Sequence, residues 1–264
     1  MKSRLKKIAR KRAGESAPVD AAQYRKLFAL FVSSTDQKQR QIEQIRSILK
    51  TLKTKRDFLD VGAGSGEITS AVSEEFARTS VVEPNTEQVT YLSERYPNFR
   101  IFPDDIRELN LRDEQFDFIL CSHVLYYIPE AEWMPVAESL ARHLRPGGKF
   151  LIVLQSPSGG VSELFRTFGV PVAPSLQLWN RLTQRFGVEA VRAYYGTCEI
   201  KTQTLEEMTA IGIFLMSARN VRPRKSALSR YLERRHRSPE GYRIGQEYLT
   251  FEIEKNNASE VLPR

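Results

Sequence analysis

The chain has 264 residues, 41% hydrophobic and 27% charged, which suits a soluble globular protein with room for one large core. No run approaches the roughly 18 apolar residues of a membrane span, and the basic N-terminus lacks the apolar stretch of a secretory signal, so a cytoplasmic protein is expected. Cys121 and Cys198 fit no metal-ligand spacing, which predicts reduced thiols and no metal site.

The net charge of +8 is concentrated in two segments. Residues 1–12 carry seven Lys and Arg with no acid, and residues 222–237 carry seven with one Glu, so the rest of the chain is net acidic. A solvated arm over 1–20 and a solvated helix near 226–236 are expected, rather than a nucleic-acid groove.

From 21 to 53 the pattern is helical. Tyr24, Leu27, Phe28 and Phe31, then Ile42, Ile45, Leu49 and Leu52, recur at three- and four-residue steps, with "SSTD" between them as a cap. Short apolar runs then alternate with helical patterns. "DFLDV", "SVVEP", "FRIF", "FDFILCS" and "KFLIVL" read as strands; "SAVSEEF", "EQVTYLSERY" and "AEWMPVAESLARHL" read as helices. This order predicts an α/β fold with a parallel, doubly wound sheet. Residues 21–155 are expected to hold the N-terminal helices and the ligand-binding core. Residues 156–195, rich in Gly and Pro with short helical pieces, read as an insertion covering a site. Residues 196–264, with helices at 205–216 and around 226–236 and strands at "TCEIKTQ" and "YLTFEIEK", are expected to complete the same domain.

The loop after the first strand, "VGAGSGE", carries the chemistry. In a doubly wound sheet, ligands bind beyond the carboxyl ends of the strands, and glycines there let the backbone approach a ligand closely. A phosphate loop requires Lys and then Ser or Thr after its last glycine, but Gly66 is followed by Glu67. Gly62, Gly64 and Gly66 are also one residue tighter than the dinucleotide fingerprint, and Asp60 and Glu67 flank them. Two carboxylates repel a pyrophosphate and attract a sulfonium or an ammonium. Glu83, ending the second strand about twenty residues on, stands where an acid accepts both hydroxyls of a ribose. Asp104, with Asp105 beside it and Ile106 as a flat apolar neighbour, is placed to meet an adenine amino group.

With these elements the chain resembles the class I S-adenosylmethionine-dependent methyltransferases. "FLDVGAGSGE", "VVEP", "FPDDI", "FDFILCSHVLYYI" and "LRPGGKFLIV" match in order and spacing over residues 56–155. The resemblance implies a Rossmann-like sheet of seven mostly parallel strands and S-adenosylmethionine as cofactor. Gly62 and Gly64 would line its methionine part, Glu83 its ribose and Asp104 its adenine. Ser122 would make a backbone contact, and Gln88 a further one.

"VVEPNTEQ", "LYYIPE", "QSPSGGVSELFRTFG" and "FVSSTDQKQ" are similar to histamine N-methyltransferases. That family holds its amine with an acid from the N-terminal helical segment, an amide before "LYY" and an amide at the last strand. Aligned by motif, these positions fall on Asp36, on His123, and on Glu247 or its neighbour Gln246. The acid is kept in kind and the amides are not, which points away from histamine itself while keeping a small-molecule acceptor. His123, following a buried strand at the ligand edge, is suited to orient an acceptor or take its proton. Tyr126 and Tyr127 are candidates to line the acceptor pocket, and Trp179 and Phe186 to form part of a lid.

The reading is a methyltransferase acting on a small molecule, at a nitrogen of an amine or imidazole-like group. An O-methyltransferase acting on a hydroxyl or carboxylate is the enzymatic alternative. A modifier of nucleic acid or protein that uses the basic segments is another, disfavoured because "SHVLYY" stands where many such enzymes carry N-P-P-Y. A non-catalytic binding subunit would have no need of the loop and both acids together.

Overall fold

The computed structural model describes residues 21–256, except Ala218 and Asn220; the arm expected over 1–20 lies outside the described residues. The chain divides into two compact units. Among the described residues, the larger comprises 36–164, 172–199 and 245–256; the smaller comprises 21–35, 165–171 and 200–244.

The larger unit is built on a sheet with strands β1 (Asp57–Val61), β2 (Arg78–Val82), β3 (Arg100–Phe102), β4 (Phe116–Ser122), β5 (Leu144–Gln155), and most of β6 (Val191–Thr202) and β8 (Gly241–Glu254); β7 (Arg237–Ser238) falls in the smaller unit. Their order is β3-β2-β1-β4-β5-β8-β6, with the two-residue β7 off this path beside β8. The first five are parallel, and β8 runs antiparallel to β5, pairing Leu151 with Glu252 and Gln155 with Tyr248. All five residues of β1 and six of seven in β4 are buried, as expected for strands covered on both faces. The sheet order is that of the Rossmann-like fold anticipated from the sequence.

Helices cover both faces. On one lies α2 (Gln37–Leu49), whose Ile45, Ile48 and Leu49 pack with Phe58, Phe118 and Tyr248. Next in chain order come α3 (Glu67–Ser73) and α4 (Thr86–Arg95), the latter capped by Asn85, whose side chain accepts the Gln88 N–H at 3.1 Å. The opposite face carries α5 (Glu130–Arg142) and, after α6 (Gly160–Thr167), α7 (Ser175–Phe186). Leu178 and Leu182 of α7 join the core with Ile119, Phe150 and Phe251, and the Trp179 ring lies 5.8 Å from that of Phe251. The segment expected as a lid therefore contributes a helix packed on the sheet. Its apolar stripe is a core face, and Trp179 and Phe186 rest against that core.

In the smaller unit, α1 (Ala21–Ser33), α8 (Leu205–Ser217) and α9 (Lys225–Arg235) form a helical group. Phe28 and Phe31 of α1 place their rings 6.2 and 5.9 Å from Phe214 of α8. Leu228 and Leu232 turn α9 inward and leave Arg230 and Arg234 exposed, so the basic segment is a solvated helix face. Residues 200–244 thus group with α1.

A charge cluster ties the amino ends of the parallel strands together. Asp57 lies 2.5 Å from Arg78 and 2.6 Å from Arg145, and Arg145 reaches Asp117 at 3.0 Å. Asp117 also accepts the backbone N–H groups of Arg56 and Asp57 at 2.8 and 2.9 Å. Burial works to raise the Asp57 pKa, but Arg78 and Arg145 outweigh it and hold the carboxyl below the ordinary range. Because the folded value lies below the unfolded one, this stabilisation is whole at neutral pH and is lost as pH falls below about 4. Arg145→Met leaves Asp117 buried without its cation. It is expected to destabilise the fold by about 3 kcal/mol at pH 7 in urea unfolding. The loss should shrink in acid, and an equal loss at pH 3 would rule out the ion pair as its source.

Candidate active site

The turn leaving β1 takes three left-handed steps, at Gly62 (φ 78°), Gly64 (φ 53°) and Gly66 (φ 74°). Each glycine has its own reason. A Cβ on Gly62 would lie 2.3 Å from Val124 Cγ2, and one on Gly66 2.6 Å from Leu92 Cδ2. Around Gly64 nothing stands within 4 Å of that position, so the loop keeps an open face there. The Gly64 N–H donates to Glu83 Oε2 at 3.0 Å, and the Asn85 N–H donates to Glu83 Oε1 at 2.9 Å. Glu83 is only 7% exposed, and each oxygen retains a lone pair for a ligand.

Asp60, at the end of β1, is 4% exposed and accepts the Thr69 hydroxyl at 2.6 Å. Burial pushes its pKa up to about 7; the Thr69 bond opposes this and neighbouring Glu83 adds to it. Burial also raises the Cys121 thiol strongly, so it stays protonated and inert. Asp104 is exposed beyond β3. Asp105 is engaged with Arg107, which bonds it through Nε at 2.8 Å and Nη2 at 2.7 Å and lowers its pKa. Ile106 leans on the core, and Gln88 is half-buried at the start of α4.

The turn out of β4 carries the second group. His123 is in the left-handed region (φ 59°), unusual for a residue with a side chain, and its N–H is held by Val153 O at 2.9 Å. Its Nε2 lies 2.6 Å from Gln41 Nε2 and 3.1 Å from Gln37 Nε2, both on α2. Its Nδ1 lies 3.2 Å from Tyr126 Oη, which also accepts the Gln155 N–H. Ser122 Oγ is 3.5 Å from Gln41 Oε1. One histidine, two carboxamides, a phenol and a hydroxyl are thereby gathered at the carboxyl ends of β4 and β5.

The other expected acceptor residues have partners of their own. Asp36 precedes α2, but its side chain does not cap the helix. Its carboxylate accepts the Glu199 N–H at 2.8 Å and pairs with Arg40 at 3.0 Å. Burial works to raise its pKa, and those two partners hold it below the usual range. Tyr127 is 75% exposed. Glu247 accepts the Ser158 hydroxyl at 2.5 Å and bonds Tyr195, whose pKa it pushes up to about 12. Gln246, its neighbour, is 5% exposed and its Oε1 has no hydrogen-bond partner among the described residues. Gln37 and Gln41 were not anticipated, although two glutamines four residues apart on the stripe that continues to Ile45 and Leu49 were a legible signal.

A cavity of about 860 Å³ opens at the opposite ends of the strands, beside Asp57, Arg78 and Arg145. Among the described residues no three His, Cys, Asp or Glu are grouped to hold a metal, and no helix is long and apolar enough to cross a membrane.

Residues 59–152 match the family model described as a methyltransferase domain. Nodulation protein S of Azorhizobium caulinodans is 29% identical over 163 residues, covering 61% of this chain and 69% of that protein. Histamine N-methyltransferase A of Xenopus laevis is 28% identical over 180 residues, covering 57% and 60% of the two chains. The likeness is thus shared among methyltransferases and is not specific to histamine N-methyltransferase, as the motifs outside the core had suggested. Among solved structures, the YcgJ protein from Bacillus subtilis superposes with a TM-score of 0.57 at 17% identity, covering 82% of this chain and 99% of that one. The plantazolicin methyltransferase BpumL in complex with SAH gives 0.56 at 14%, covering 90% and 92%. At these identities the structures share the fold.

The buried Asp60 makes a prediction of definite sign. Its folded pKa of about 7 exceeds the unfolded value of about 3.9, so the fold loses stability as pH rises between them, by about 1.4 kcal/mol per unit. Asp60→Asn keeps the Thr69 bond without the charge. Thermal melts should show the variant gaining over the wild type at about pH 8 and much less at about pH 5. A gain that does not grow with pH would mean that Asp60 is already ionised in the acid range.

Proposed function

We propose that this chain, an S-adenosylmethionine-dependent methyltransferase, transfers a methyl group to a nitrogen of a small-molecule acceptor held beside His123. The observation carrying the acceptor reading is the network at His123, a titratable ring fixed at the ligand edge of the sheet. A relative named for N-methylation, histamine N-methyltransferase A, supports nitrogen as the acceptor atom.

The residues at the glycine loop fit the cofactor. The open face at Gly64 gives its methionine part room, and the free lone pairs of Glu83 suit two vicinal hydroxyls. Asp60 is poised to ionise beside a cation, which would offset the burial that now raises its pKa. Asp104 and Ile106 stand beyond β3 where an adenine would be held; Gln88 and Ser122 are further contacts on this reading. When bound, the cofactor supplies a methyl group already activated on a positively charged sulfur.

The protein has little covalent chemistry left to perform. It must hold the acceptor in line, exclude water and remove one proton, because a nitrogen attacks only through a free lone pair. His123 is the group at hand for that proton. Tyr126 anchors the ring through Nδ1 and is itself fixed by the Gln155 N–H, so the imidazole does not swing.

Two measurements test the reading. Glu83→Ala removes both acceptors for the ribose and leaves the Gly64 and Asn85 N–H groups unpartnered. Calorimetry with S-adenosylhomocysteine should then show binding weakened about 100-fold or more. Unchanged binding would remove Glu83 from the cofactor site. Turnover of a panel of amines, imidazoles, phenols and carboxylic acids is expected to give N-methyl products; exclusive O-methylation would sink the nitrogen assignment.

A further inference from the structure

Several arginines at the surface of the larger unit are matched to acids. Arg46 lies 2.9 Å from Glu74, Arg107 2.7 Å from Asp105, Arg185 2.9 Å from Glu138 and Arg192 2.7 Å from Glu254. Helix α9 of the smaller unit differs. Arg224 at its N-cap, and Lys225, Arg230 and Arg234 within it, are exposed, and none of the four pairs with an acid among the described residues. The single acid of α9, Glu233, is taken by Arg237 at 2.8 Å and by the Tyr242 hydroxyl. The helix has 11 residues and is about 16 Å long, so four unbalanced cations are crowded on it.

The stability of the helix does not account for them. Arg224 and Lys225 stand at its amino end, with no acid in the first turn, where the helix dipole disfavours cations. Like charges this close also repel one another. The inward packing is done by Leu228 and Leu232, both fully buried. An anion from outside would balance the charge, and the rest of the face bears on which anion. α9 has no Asn or Gln to read adenine edges, and its one aromatic ring, Tyr231, is set edge-on to Phe168 at 5.6 Å. No large apolar side chain of α9 is exposed, so it has no wedge for a base step and no anchor for acyl chains. What remains is phosphate-directed charge on a convex surface. A duplex meets such a surface only inside a groove, where reading groups are needed, whereas a planar layer of acidic headgroups meets it along its length.

We infer that the outer face of α9 docks on a bilayer of acidic phospholipid, with Arg224, Lys225, Arg230 and Arg234 against the headgroup phosphates. The helix rests on the headgroups rather than within the acyl layer, so the association is electrostatic, reversible and salt-sensitive. None of its residues belongs to the candidate active site, and the inference stands apart from the methyl-transfer reading.

Co-sedimentation of the full chain with vesicles tests it. Phosphatidylcholine vesicles with about 30% phosphatidylserine are expected to bind the protein at about 0.05 M salt and to release it at about 0.5 M, while phosphatidylcholine alone does not bind it. Each charge is worth about fivefold, so Arg224→Gln, Lys225→Gln, Arg230→Gln and Arg234→Gln together should weaken binding by about 500-fold. Changing Arg46, Arg100, Arg181 and Arg185 to Gln instead alters the net charge equally and should cost less than about fivefold. S-adenosylhomocysteine affinity should hold in both variants, which reports that they are folded. Equal binding to neutral vesicles, binding to neither kind, or an equal loss in the second variant overturns the inference. So does an α9 variant that binds like the wild type, which would assign binding to the seven Lys and Arg of residues 1–12. Retention on a DNA duplex at a salt concentration that releases the protein from the vesicles overturns the lipid assignment and gives the face to nucleic acid.

Discussion

Val124 occupies the space that a side chain on Gly62 would need, with its Cγ2 2.3 Å from that Cβ position. The strands leading to the two residues, β1 and β4, are hydrogen-bonded neighbours in parallel register, Asp60 opposite Leu120. Both turns then leave the sheet in the left-handed region, one at Gly62 and the other at His123. Packing one turn into the absent side chain of the other fixes their separation. A single methyl group at position 62 would push Val124 and shift the residue before it. The glycine is thus a constraint on the turn that carries His123 as much as a convenience for its own loop.

The groups at the ends of β1 and β4 differ in charge. Asp60 and Glu83 are buried acids, an arrangement that is unfavourable unless something nearby is positive or donates hydrogen bonds. Backbone N–H groups meet this need at Glu83, and a hydroxyl meets part of it at Asp60. Around His123 the polar groups are neutral amides and hydroxyls. On the proposed reading, the cationic ligand and the nucleophile would each be met by surroundings matched to their charge.

Much of the fold was legible because parallel strands buried on both faces leave uninterrupted apolar runs. β1 and β4 have the limits that "DFLDV" and "FDFILCS" suggest. Helical periodicity was less informative, because it marks a buried face without naming what covers it. The stripe of α7, which fitted a lid or amphipathic packing alike, is a core face, and residues 200–244 group with α1. Within the site, the loop glycines and Glu83 stood out by spacing alone. Asp36, His123 and Glu247 were placed by motif alignment, the last with a register uncertain by one residue. At the last strand that one step separates a half-buried acid bonded to Ser158 from the buried amide of Gln246. Gln37 and Gln41 were passed over because glutamine on a helix is ordinarily solvent-facing.

The left-handed backbone at position 123 also limits what can stand there. Few residues with side chains tolerate that conformation, and those enriched in it are asparagine, aspartate and histidine, with glycine unrestricted. β-Branched residues are excluded on steric grounds. The menu at this position is therefore almost entirely polar, and it includes both the amide that the histamine N-methyltransferase resemblance implied and the imidazole present here. Exchange among these residues leaves the turn intact while replacing a proton acceptor with a group that only hydrogen-bonds. On the proposed reading, one codon at this turn can change the acceptor while the fold is insulated from the change.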